Sequence, residues 1–156
     1  MGHHKIVVTE KNEDYVLTRE YKAVGSRMEI STKAKMLSKK QVQPMFQFAL
    51  YDLSYNMDIL LDDRSVVNRK YNPEDGHCVT EEMIFLNFLQ QNYSTRYFKQ
   101  IDVSFASSPK AVYRIKTDKP AKCFCQLNYL GIEYNKNLYK GKNEIDFGTI
   151  MIERMA

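Results

Sequence analysis

The chain has no tryptophan, and only four prolines and six glycines among 156 residues. So little Pro and Gly excludes linker, collagen-like and low-complexity readings. Cysteine is scarce too: Cys78, Cys123 and Cys125 form an odd set, and the opening Met-Gly-His-His-Lys has no apolar core of a signal peptide. Both features argue against a disulfide framework. They predict reduced thiols in a soluble protein, cytoplasmic or assembled into a particle made in the cytoplasm. No segment approaches the ~18–20 consecutive apolar residues of a membrane helix. Gly2-His3-His4 resembles an engineered start, so those histidines carry no weight in the reading.

Catalytic motifs are also missing. There is no G-x-G-x-x-G or G-x4-G-K-[S/T] phosphate loop and no G-x-S-x-G nucleophile elbow. His77 is the one other histidine, and its neighbour Cys78 is a poor nucleophile partner because adjacent side chains diverge. Cys123 and Cys125 would share one strand face about 7 Å apart. Zinc would need two further ligands, and small core residues explain the pair better. Asp58, Asp62 and Asp63, with His77, are the acids and base that a metal-dependent hydrolase would gather into a pocket. Glu20-Tyr21-Lys22 matches an E-x-K spacing used by some nucleases, but a solvated strand face accounts for it. The expectation is a non-enzyme with no cofactor and no metal.

What the chain does have is ordinary globular stock: 44% hydrophobic and 27% charged residues, with 11 Tyr and 8 Phe. At this length a single domain hides roughly 68–70% of its unfolded surface, enough for a core without staples. No internal repeat or linker divides it, so residues 1–156 read as one β-rich domain.

Short alternating or β-branched runs recur along the chain. Residues 5–9 and 15–24 read as a hairpin across the polar turn Glu10–Asp14, and Gly25-Ser26 leads to a third strand over 27–32. Lys33 to Lys40 holds four lysines in eight residues and reads as a loop or helical turn. Met45–Leu53 fits strand or helix, and the alternation of Phe46, Phe48 and Leu50 favours strand. Residues 57–61 follow as a short strand. Asn72–Gly76 is a proline turn. It precedes one amphipathic helix over about 80–98, capped by Thr80, with Met83, Leu86, Leu89, Tyr93 and Tyr97 on a stripe. Ile101, Val103 and Phe105 alternate next. Three strands complete the chain, the middle one running from Cys123 to Leu130, and Gly148 marks a bulge. About eight strands and one helix predict a mainly β, single-domain β-sandwich or jelly-roll-like fold. The alternative is α+β.

Charge is uneven. Residues 110–142 hold eight basic and two acidic residues, a net of +6, so a chain of net +4 leaves −2 for the rest. Tyr113, Tyr134 and Tyr139 interleave with Arg114, Lys116, Lys140 and Lys142. These residues, with Lys33, Lys35, Lys39 and Lys40, form the candidate interface patch. Tyrosines give large contact area at small entropic cost. Small Lys-, Asn- and Tyr-rich β-proteins resemble, in composition, the connector, ring and tail components of tailed bacteriophage virions. The missing catalytic motifs and the many tyrosines and methionines together predict a structural or assembly subunit that docks onto other protein chains as a homo- or hetero-oligomer. A nucleic-acid-binding β module is the second reading, since aromatics stack bases and cations hold phosphates.

Overall fold

The computed structural model describes residues 4–40, 45–50, 54–64, 66–69, 97–126 and 129–155. Within these, the molecule is mainly β. Its strands are β1 (His4–Lys11), β2 (Tyr15–Val24), β3 (Arg27–Met36), β4 (Met45–Ala49), β5 (Tyr55–Leu61) and β6 (Val66–Arg69). They continue with β7 (Phe98–Phe105), β8 (Ser108–Thr117), β9 (Ala121–Gln126), β10 (Tyr129–Tyr134) and β11 (Glu144–Met155). A short 3₁₀ turn, Lys136–Leu138, precedes β11.

All eleven strands belong to one antiparallel sheet, in the order β1-β2-β3-β11-β8-β7-β9-β10-β4, with β5 also on β7 and β6 on β5. The sheet curls into a half-barrel around its core. The described strands form one continuous sheet and do not show the two separate facing sheets of a sandwich. The hydrogen-bonded path passes from β7 to β9 through a single pairing, Phe98 with Ala121, so an arm of β9, β10 and β4 stays joined to the main sheet.

Tight turns set the registers. Gly25, at φ +60°, occupies the first central position of the two-residue β2–β3 turn, where a side chain would be disfavoured. In the β1–β2 turn the Asn12 side-chain oxygen accepts the N–H groups of Asp14 (2.8 Å) and Tyr15 (2.9 Å). This is the local bonding that makes Asn a turn residue. The slip expected at Gly148 is present. The β11–β3 register shifts between Asp146 and Gly148, and Gly148 takes φ +83°.

The inner face follows from the alternation. One row of directly opposed residues runs Ile59–Ile101–Ile115–Ile152 across β5, β7, β8 and β11. Ile59 and Ile101 are fully buried, and such a side chain contributes roughly 1.5–3 kcal/mol. The arm folds over the same core. The Tyr134 ring on β10 lies 4.8 Å from that of Phe147 on β11, and the Arg19 guanidinium on β2 sits 5.1 Å over Phe46 of β4.

Several sequence expectations change. Residues 33–36 are not a loop but continue β3, because Ala34 and Met36 keep facing the core while Lys33 and Lys35 face out. Cys123–Leu130 is not one strand: β9 ends at Gln126 and β10 starts at Tyr129, and the two pair antiparallel. The strand expected over Met45–Leu53 is present at Met45–Ala49, with 51–53 outside the described residues, and the strand expected over 57–61 begins two residues earlier, at Tyr55. The helix expected over about 80–98 lies outside the described residues, except at its end, where Phe98 is the buried first residue of β7.

Candidate functional site

The outer face of the sheet is a lattice of both charge signs. Across β3, β11, β8 and β7 the row Arg27–Glu153–Arg114–Asp102 alternates in sign. Arg114 grips Asp102 with two bonds, Nε to Oδ1 at 2.9 Å and Nη2 to Oδ2 at 3.0 Å. That bond, and then the nearby charges of Asp102 and Glu153, raise the Arg114 pKa above its ordinary value against the opposing effect of burial. Arg27 Nη2 lies 2.7 Å from Glu29. Lys33 and Lys35 stand directly opposite Asp146 and Glu144 of β11.

The remaining residues of the expected patch do not converge on one surface. Lys40 Nζ reaches the Asp14 carboxylate at 3.2 Å, and Ser38 Oγ donates to it at 2.8 Å. Together they pin the end of β3 to the β1–β2 turn. These two donors, Ser38 first, hold Asp14 below the usual carboxylate pKa. Lys39 is exposed beside them. Lys116 is exposed on the outer face, and Tyr113, in the middle of β8, is exposed on the inner-face side. Tyr134 is buried: its hydroxyl lies 3.4 Å from Thr32 Oγ1 inside the core, which takes it off any surface patch. Tyr139 is half-buried against Phe147, at 5.9 Å between rings. Lys140 and Lys142 are exposed in the turn before β11. Elsewhere in the basic third, Lys119 Nζ donates to the Asp146 carbonyl at 2.8 Å and Lys122 Nζ sits 5.5 Å over the Tyr97 ring.

Asp58, Asp62 and Asp63 are exposed, and His77 lies outside the described residues. Among the described residues no three His, Cys, Asp or Glu side chains are placed to hold a metal ion, and no helix is long and apolar enough to cross a membrane.

The most unusual surface is one that the patch expectation passed over. β1 forms the end of the sheet, pairs with β2 along all eight of its residues, and is exposed throughout. Ile6, Val7 and Val8 remain 65%, 52% and 51% exposed. No described strand pairs with its outer side. An apolar row of the inner face leads out to it: Ile150 and Ile30 are buried, Tyr21 is half-buried, and Ile6 emerges. The signal in the sequence was Ile-Val-Val itself. Three consecutive apolar residues suit a strand covered on both faces, and here neither face is covered. The comparisons supply no relative from which a role could be transferred: no protein-family model matches the chain, and no curated protein matches it.

Proposed function

We propose that the protein is a non-enzymatic assembly subunit that docks onto other protein chains by adding strands at the open β1 edge. The observation that carries this reading is the eight-residue edge strand with Ile6, Val7 and Val8 uncovered. Natural sheets blunt such edges with proline, bulges, short strands or inward charge, because a free row of N–H and C=O groups pairs with any extended chain. β1 has no proline and no register break; of the charges that protect an edge it carries Lys5, Glu10 and Lys11, all near its ends, and the stretch Ile6–Thr9 between them has none. Strand addition takes affinity from the main chain and specificity from alternate side chains. The balanced outer face supports a role at contacts between proteins, because mixed signs set orientation and suppress wrong partners.

The test replaces Val7 with proline in the cells that make the protein. Position 7 is suitable because its N–H points away from β2: it lies one residue from Val8 and three from Glu10, which pair with β2 by hydrogen bonds in the register set by the Asn12 N–H to Tyr15 carbonyl bond. The wild-type chain should run as an assembly larger than the monomer on size-exclusion of the lysate, and the Val7→Pro chain should run as the free monomer. A wild-type chain that elutes free removes the assembly reading.

A further inference from the structure

We infer that the partner strand at the β1 edge is β1 of a second copy, paired antiparallel about a two-fold axis through Val7. This inference rests on the docking reading above and names the occupant.

Asn12 donates its N–H to the Tyr15 carbonyl at 3.0 Å, which makes 12–15 a hydrogen-bonded pair of the β1–β2 ladder. Hydrogen-bonded pairs recur at every second residue. Glu10, Val8, Ile6 and His4 therefore turn their backbone groups toward β2. Lys5, Val7, Thr9 and Lys11 point theirs outward.

In an antiparallel pair, opposed residues face the same side of the sheet, and a two-fold axis normal to the sheet keeps each copy's faces aligned. Even-numbered residues of β1 must then oppose even ones, and odd must oppose odd. Three registers centre on the apolar run. An axis at Val8 sets Lys5 against Lys11 and Ile6 against Glu10. Like charges directly opposed are destabilising. An axis at Ile6 sets Lys5 against Val7 and His4 against Val8.

An axis at Val7 opposes Val7 to itself, Ile6 to Val8 twice, Lys5 to Thr9, and Glu10 to His4. It alone keeps every apolar residue of the run on an apolar partner and opposes no like charges. It also makes Val7 with Val7 a hydrogen-bonded pair, as the outward parity demands. The apolar row Ile150–Ile30–Tyr21–Ile6 would then continue into Val8 of the other copy, and the two sheets would become one. Such an isologous contact closes on itself and leaves no further edge at that site.

The experiment is sedimentation of the purified full chain over a concentration series, with amide hydrogen exchange of β1 and thiol cross-linking read by peptide mass. The wild type should dimerise, and the amides of Lys5, Val7 and Thr9 should slow as it does. Val7→Pro removes two N–H donors per dimer but spares the β1–β2 ladder. It should weaken association about thirtyfold with an unchanged circular dichroism spectrum. Val7→Cys should cross-link to itself. Thr9→Cys should not, because its two copies would lie about 14 Å apart along the strands. A Thr9 cross-link without a Val7 one overturns the register. A monomer at every concentration with fast Lys5, Val7 and Thr9 amides overturns self-pairing but leaves the edge open for another chain. A monomer in which those amides are slow overturns both readings, since part of the same chain then covers the edge.

Discussion

At the scale of single residues, Gly148 and Arg114 hold positions whose demands can be measured. Gly148 takes a left-handed φ, and its N–H is held at 2.9 Å by Asp146 Oδ1. A β-carbon there would run into the Asp118 carboxylate, which itself accepts the Thr149 N–H at 2.7 Å. Gly141 shares the left-handed φ but has open space around it. Gly148→Ala should therefore cost about 1–3 kcal/mol by denaturant unfolding, and more than Gly141→Ala in the same assay. Arg114 is a smaller case. Its bidentate bond to Asp102 is about one-third exposed on the arginine side, so Arg114→Met should cost about 1 kcal/mol or less. The same comparison in high salt should narrow the difference, because solvent reaches the pair.

At the scale of elements, the clip between the β1–β2 turn and the end of β3 links charge to shape. Asp14 has a folded pKa below its ordinary value of 3.8, owing first to the Ser38 hydroxyl and then to Lys40. A depressed carboxylate pKa stabilises the fold above the unfolded value, and the contribution fades as pH falls through 3.8 toward the folded value. Carboxyl NMR titration should show Asp14 ionising at lower pH than a free aspartate, and Ser38→Ala with Lys40→Ala should return it to the ordinary value. The lysines of this region show what could be read in advance. Their number was visible, but their setting was not. Lys33 and Lys35 look like a basic loop until the register places Asp146 and Glu144, more than a hundred residues later, opposite them. Strands with strict alternation, such as Ile101-Asp102-Val103-Ser104-Phe105, were legible because period two is a local property. The break between β9 and β10 was not, since Cys123 to Leu130 carries no Gly or Pro to announce it. Edge or centre is a question of topology, which is why residues 5–9 could be read as a hairpin strand but not as the open end of the sheet.

At the scale of the whole molecule, Tyr134 joins the arm to the main sheet. Its hydroxyl meets Thr32 from across the core, and burial raises its pKa above 10.0, with the Thr32 bond pulling weakly the other way. A phenol whose folded pKa is raised favours the fold fully below the unfolded value and progressively less as pH climbs past it. Burial raises Tyr139 as well, so alkaline titration followed by phenolate absorbance should show late-ionising tyrosines of which Tyr134→Phe removes one. The variant should also keep its stability further into the alkaline range than the wild type.

The position of β11 has a consequence for how the molecule is made. This strand, the latest in the chain, lies between β3 and β8 and so closes the middle of the sheet. During synthesis the hairpins on either side can form as they leave the ribosome, but both β3 and β8 remain raw margins until residues 144–155 emerge. The nascent chain is thus two unfinished half-sheets, each prone to capture by a neighbour on the same message. Closure waits for β11 to pair with β3, more than a hundred residues earlier, a contact pattern associated with slow folding.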